Sequence, residues 1–201
     1  MFAQTGTQIY SINNGVVSNI EQFIEKQQIS IDSLEYSLNN PILVSTYTST
    51  YTIKTGRFSG WENEPGDFDV IEISKNGQQK FIYKSCDGIA KFNNSKNLYT
   101  SSFNRYSSNG YFIEVPMTTD SKALIFLGQH YGTDLARLII FILTDSDVKL
   151  VYNKKMAITD INSTNGNFSM SLVSNIVEEG DGTESKHTIY QQNGVLYFGD
   201  N

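Results

Sequence analysis

The feature that most constrains this 201-residue chain is a run of six apolar residues, Leu-Ile-Ile-Phe-Ile-Leu, at positions 138–143. Because none of them is polar, both faces of the segment must leave water, either as a strand covered on both sides or as a buried piece of helix. Its β-branched and aromatic residues, with turn-forming residues at both ends, favour the strand. We therefore predict consecutive antiparallel strands at residues 123–127, 136–143 and 148–152.

A membrane span is the alternative use of such a run. A spanning helix needs about 20 apolar residues, whereas Asp134 and Arg137 precede this run and Asp145 and Asp147 follow it. We therefore predict that the segment belongs to a core and not to a membrane span.

Composition excludes several partners and cofactors. The formal net charge is −6 and no basic stripe is visible, which argues against a nucleic-acid partner and against anionic membrane surfaces. With 12 Tyr and 12 Phe the chain is rich enough in aromatic residues to fold. It contains neither a Gly-x-Gly-x-x-Gly motif after a strand nor a phosphate-binding Gly-Lys-Ser/Thr, so we expect no cofactor.

Turn-forming pairs divide the rest of the chain. Five Asn-Gly pairs favour type I′ hairpins and two Asp-Gly pairs, one at Asp87-Gly88, mark further tight turns. Strand-like segments recur at intervals of roughly 8–15 residues after about residue 40, which is typical of an antiparallel β-sandwich or β-barrel. No linker rich in Pro, Gly or Ser interrupts them, so we predict a single mainly β domain, 1–201, whose antiparallel body is residues 42–201.

The helix signal lies near the amino terminus, after a polar segment at residues 1–16. Ser18 and Glu21 have the spacing of a capping box, in which the two side chains satisfy free N–H groups. Apolar residues then recur at helical spacing, at Ile20, Phe23, Ile24 and Ile31. We predict one amphipathic helix at about residues 19–28. It begins a helical segment, 19–38, whose second half fits either a short helix or a strand.

Two features of the sequence bear on the cellular location. One cysteine, Cys86, excludes an internal disulfide, which is compatible with the cytosol and with export. Met1-Phe2-Ala3-Gln4 resembles the end of a cleaved signal peptide, with a small residue before the cut. We expect a bacterial protein that is secreted or belongs to the cell envelope or periplasm, with a cytoplasmic location as the alternative.

Residues for nucleophilic catalysis are scarce. The chain has two histidines, His130 and His187, and no motif surrounds its one thiol. Because a nucleophile needs an adjacent base, this scarcity favours a non-enzymatic role.

One group of carboxylates keeps a glycoside hydrolase-like enzyme as an alternative. Glu62, Glu64 and Asp67 lie close to Trp61 in the turn-rich loop 55–67. Two facing carboxylates can cleave a glycoside by acid and base roles, but spacing along a chain does not establish their separation.

We expect no metal site, because two histidines without clustered cysteines cannot build the usual zinc spacings. Two acidic loops supply oxygen ligands for calcium as an alternative. Neither loop matches the EF-hand pattern, and ordinary turns use the same residues. The loops are residues 145–147 and 178–184, and the candidate ligands in them are Asp145, Asp147, Glu179 and Asp181.

Aromatic residues in loops are the remaining candidates for function, because they offer flat apolar faces with a polar edge. The predicted ligand-binding residues are Phe58, Trp61, Tyr106, Tyr111, His130 and Tyr131, carried largely by loops 55–67 and 128–134. Tyr47 and Tyr51 are four residues apart on one predicted strand and are expected on one face.

We therefore predict a β-sheet binding protein whose partner is a protein or a carbohydrate. A structural domain that assembles with another chain through its edge strands is a further alternative.

Overall fold

The computed structural model describes residues 6–11, 20–25, 34–60, 67–92, 109–128, 137–164, 167–174 and 185–200. These residues contain fourteen β-strands and one short 3₁₀ helix, Ile20–Phe23. The strands are β1 (Thr7–Ser11), β2 (Tyr36–Leu38), β3 (Ile42–Ser45), β4 (Thr50–Phe58), β5 (Phe68–Lys75), β6 (Gln78–Ala90), β7 (Ile113–Thr118), β8 (Ser121–Gly128), β9 (Arg137–Thr144), β10 (Val148–Lys155), β11 (Ala157–Thr164), β12 (Asn167–Val173), β13 (Lys186–Gln192) and β14 (Val195–Asp200).

The strands form two antiparallel sheets, which confirms the predicted mainly β class. The small sheet has the order β1-β14-β13-β12-β11. The large sheet has the order β10-β9-β8-β6-β5-β4-β2, with β3 paired to β4 and β7 paired to β8. The three predicted central strands are β8, β9 and β10, and they pair antiparallel as expected.

Strand β9 contains the apolar run, and its two faces are buried in different cores. Successive side chains of a strand point to opposite sides of the sheet. The side chains of Leu138, Ile140 and Ile142 lie in the first core. The intervening side chains lie in the second core, at Ile139, Phe141 and Leu143. The prediction of a strand covered on both faces is confirmed.

The two cores define three layers of strands. The first core joins one face of β7–β10 to residues of the small sheet. The second core joins the opposite face of β8–β10 to β3–β6, which belong to the same large sheet. The large sheet therefore folds over on itself, and β8–β10 form its central layer.

Among the described Asn-Gly and Asp-Gly pairs, two close hairpins, one lies in a bulge, and Asn109-Gly110 has a positive φ at Gly110 alone. Asn76-Gly77 and Asn193-Gly194 have positive φ at both residues, as type I′ hairpin turns require, and they connect β5 to β6 and β13 to β14. Asp87-Gly88 differs from the prediction, because it lies inside the continuous strand β6. Gly88 has a φ of 67° there, and the pairing with β5 shifts. The pair therefore makes a bulge instead of reversing the chain.

The predicted amphipathic helix is not seen in the described residues. The 3₁₀ helix ends at Phe23, after which Ile24 forms an isolated parallel bridge with Asn153 of β10. Burial of the Phe23 side chain in the first core outweighs the local helical pattern. The remainder, residues 26–33, lies outside the described residues.

The last part of the predicted helical segment, Tyr36–Leu38, is strand β2, which pairs with β4. Among the residues that the structure describes, no helix is long and apolar enough to cross a membrane.

Candidate functional site

Most of the predicted site residues lie outside the described residues, and the predictions on them are therefore not evaluated by the structure. These residues are Trp61, Glu62, Glu64, Tyr106, His130, Tyr131, Glu179 and Asp181.

Phe58 is described, and its position corrects the expectation of an exposed ring. The side chain is only 4 % exposed and packs against Val70 on β5. Tyr36 and Leu38 of β2 pack against the same pair. Phe58 therefore contributes to packing between β2, β4 and β5.

Tyr111 is half-buried, and its ring also contacts other side chains of the protein. Its ring lies 5.7 Å from the ring of Phe68, and the Lys91 ammonium lies 4.6 Å from the centre of the Tyr111 ring.

The backbone N–H of Lys91 donates a hydrogen bond of 2.7 Å to Oδ2 of Asp67. This carboxylate, predicted as part of a hydrolytic group, thus holds the backbone at the end of β6.

The hairpin β3–β4, residues 42–58, presents the exposed apolar surface of the described chain. Among the described residues, the large hydrophobic side chains that are exposed are Leu43, at 66 %, and Tyr47, at 72 %. Ile42 and Val44 pair with Ile53 and Tyr51 and pack in or against the second core. Because side chains alternate along a strand, Leu43 points away from that core.

The turn of this hairpin, residues 46–49, is anchored by Asp145. Oδ1 of Asp145 accepts hydrogen bonds from the Thr46 hydroxyl at 2.5 Å and from the Thr48 N–H at 3.0 Å. The Ser49 hydroxyl donates to the Asp145 carbonyl oxygen at 2.8 Å. The Thr46 hydroxyl, followed by Thr48, holds the pKa of the Asp145 carboxyl below its usual value. Tyr47 therefore lies on a turn that hydrogen bonds hold against the connection between β9 and β10.

The role of Asp145 also bears on the predicted calcium alternative. The Asp145 carboxylate accepts a hydrogen bond from the turn at residues 46–49, and Asp147, two residues later, is exposed. Within the described ranges, no group of three or more His, Cys, Asp or Glu residues is placed to hold a metal ion.

Tyr47 and Tyr51 do not share a face, which corrects the expectation from their spacing. Tyr51 lies on β4 and is fully buried, whereas Tyr47 lies in the turn before that strand. The predicted single strand is interrupted because Thr46, Thr48 and Ser49 form hydrogen bonds within and across the turn. Short hydroxyl side chains flanking Tyr47 were the sequence signal for this turn.

The β3–β4 hairpin therefore carries the exposed side chains of Leu43 and Tyr47 and an edge strand, and Asp145 anchors its turn. Sequence reasoning missed Leu43, since burial of alternate residues becomes known only when the partner strands are known. No family model, no curated protein and no solved structure matches the chain.

Proposed function

We propose that the chain is a non-enzymatic binding protein that recognises a protein partner through the β3–β4 hairpin. The observation behind this proposal is that Leu43 and Tyr47, the exposed large hydrophobic residues of the described chain, lie on the same hairpin. Exposed apolar groups that occur together are typical of interaction surfaces.

The edge position of β3 favours a protein over a carbohydrate. One side of β3 pairs with β4, and no described strand pairs with its other side. Pro41 precedes β3, but the strand itself, Ile-Leu-Val-Ser, carries no charge of the kind that usually protects an edge. An extended segment of another protein can pair with such an edge and place an apolar side chain on Leu43.

Tyr47 supplies the second contact. A tyrosine ring offers a large apolar face with few rotatable bonds, and tyrosine is enriched among residues that dominate binding energies. Because Asp145 already anchors the turn, little conformational freedom remains to be lost when a partner binds.

We also propose the finer features of the prediction. A layered sandwich is favoured over a closed barrel, because the end strands of the large sheet, β10 and β2, do not pair with each other in the described residues. A secreted or cell-envelope location is the proposed setting, and fractionation of the cells that produce the protein tests it. The hydrolase and edge-assembly alternatives stay predictions.

The experiment screens the whole immobilised chain against a random-peptide library and a glycan array in parallel. We expect extended apolar peptides to be selected. We expect Tyr47→Ala and Leu43→Ser each to weaken their binding by about tenfold, the effect of roughly 1.4 kcal/mol. Lys80→Ala, an exposed position beside the β5–β6 turn, is the control and should change affinity less than twofold.

Two outcomes would count against the proposal. Selected peptides that bind Tyr47→Ala and Leu43→Ser as tightly as the wild type would place the binding surface elsewhere. Ligands found on the glycan array alone, and lost in Tyr47→Ala, would favour a carbohydrate partner.

A further inference from the structure

Residues 20–25, here called the strap, lie across the edge of β10. Ile24 pairs with Asn153 in a parallel bridge, and the N–H of Glu25 donates a hydrogen bond of 2.9 Å to the Asn153 carbonyl oxygen. Strand β10 ends the large sheet. The strap therefore occupies part of an edge in the way that an added peptide strand would.

Phe23 fills an aromatic site at the junction of the two sheets. Its ring centre lies 6.0 Å from that of Tyr152 on β10 and 5.4 Å from that of Phe198 on β14. Phe23 is only 5 % exposed. A single strap side chain thus contacts a residue from each sheet.

Glu25 provides a charged contact two residues further on. Its Oε2 lies 3.2 Å from Nη1 of Arg137, and the same nitrogen lies 3.2 Å from Oδ1 of Asn153. Arg137 is buried, whereas the Glu25 side chain is 43 % exposed. The site therefore offers a buried cation to a carboxylate that approaches from the surface.

One polar group of this site, the Tyr152 hydroxyl, is buried and has no hydrogen-bond partner among the described residues. Burial, followed by the Glu25 charge, raises the pKa of this phenol. A buried donor without an acceptor is unfavourable, so a segment that supplied an acceptor would match the site better than the strap does.

We propose that the edge of β10 is a peptide-binding site and that the strap is its displaceable internal occupant. The external ligand is an extended segment of a partner protein with an aromatic residue two positions before an acidic one, the pattern of Phe23 and Glu25 in the strap. The aromatic side chain takes the place of Phe23, and the carboxylate binds Arg137. This site differs from the β3–β4 hairpin and does not depend on the function proposed for it.

The first test adds a fluorescent peptide with the sequence of residues 19–25, Asn-Ile-Glu-Gln-Phe-Ile-Glu, to the full chain. We expect the Phe23→Ala chain to bind this peptide at least tenfold more tightly than the wild type, because its internal competitor is weakened. Replacing the peptide's Phe by Ala or its last Glu by Gln should each reduce binding about tenfold. Tyr47→Ala, on the other surface, should bind the peptide as the wild type does.

A folded Phe23→Ala chain that does not bind the peptide would overturn the proposal. A second measurement on the wild type decides the matter if that variant does not fold. Hydrogen exchange of the Glu25 amide should be at least 100-fold faster than that of Ile140 in β9, because the strap opens without global unfolding. Equal protection of the two amides would show that the strap is a permanent part of the core.

Discussion

The phenol of Tyr51 donates a hydrogen bond of 2.7 Å to the carbonyl oxygen of Thr144, which connects β4 to the end of β9. The same hydroxyl lies 3.2 Å from the carbonyl oxygen of Asp147. Tyr51 is fully buried in the second core. One side chain thus joins the outer layer of the large sheet to its central layer.

Tyr51→Phe should lower the free energy of unfolding at pH 7 by about 1–2 kcal/mol, because two carbonyl oxygens lose a donor while the ring remains in place. Chemical denaturation monitored by fluorescence or circular dichroism measures this difference. An unchanged unfolding midpoint would show that water replaces the phenol without loss.

The raised pKa of Tyr51 should make the stability of the protein depend on alkaline pH. Burial, and then the charges of Asp147 and Asp145, raise the pKa of Tyr51 to about 12. Because the folded pKa exceeds the unfolded value of about 10, this contribution is fully present below pH 10 and is lost as pH rises through 12. Tyr51→Phe should therefore lose about 2 kcal/mol less than the wild type over this range. Identical pH profiles would contradict this assignment.

Asp69 should show a dependence on acidic pH. Its side chain is fully buried, Oδ1 has no hydrogen-bond partner in the part of the chain that the structure describes, and Oδ2 accepts the Phe58 N–H at 3.2 Å. Burial raises the pKa of Asp69, although the Phe58 N–H and Arg57 oppose the shift. A raised folded pKa favours folding most below about pH 4, and this advantage is lost as pH rises through the folded value.

Asp69→Asn should therefore raise the free energy of unfolding at pH 7 and flatten its dependence on acidic pH. Denaturation at a series of pH values measures both effects. Arg57→Gln is the matched control, because removing the cation should raise the pKa of Asp69 further and steepen the dependence. An Asp69→Asn chain that keeps the slope of the wild type would show that another group is responsible.

Substitution of Phe141 tests how tightly the central layer of strands packs against the outer layer. The Phe141 ring lies 5.1 Å from that of Phe81 and 6.0 Å from that of Phe126. Phe141→Ala should lower the free energy of unfolding by about 3–5 kcal/mol because it leaves a cavity between strand layers. Leu43→Ala, on the exposed side of β3, should change it by less than about 0.5 kcal/mol. Comparable effects of the two substitutions in denaturant unfolding would contradict their assigned burial.

Two glycines should respond differently to substitution. A Cβ at Gly128 would lie 2.8 Å from both the Cβ and the backbone N of Arg137, so Gly128→Ala should destabilise by about 2 kcal/mol or more. A Cβ at Gly77 would meet open space, but its φ is +75°, so Gly77→Ala should lose about 1 kcal/mol.

Asparagine distinguishes the two causes. Gly77→Asn should be less harmful than Gly77→Ala, because Asn tolerates this backbone conformation. Gly128→Asn should be worse than Gly128→Ala, because its side chain is larger. Thermal unfolding of the four variants measures both differences, and the reverse order at either position would refute the assigned cause.

The amino-acid sequence by itself determined the parts of this protein that depend on close neighbours along the chain. The uninterrupted apolar run specified that both faces of β9 are buried, because no residue in it can remain in water, and its β-branched and aromatic residues favoured a strand over a buried helix. Asn76-Gly77 and Asn193-Gly194 specified their hairpins, because those residue types tolerate the positive φ that the turn requires.

Only the tertiary structure decided which residues are accessible and which are committed to packing. Phe58 is buried because β2 covers it, and Tyr47 is exposed because Asp145, 98 positions further along the chain, anchors its turn. Residues 20–25 cross the edge of β10 because Phe23 packs between residues of two sheets. These outcomes depend on contacts between segments distant in sequence, and no local periodicity or turn signal contains that information.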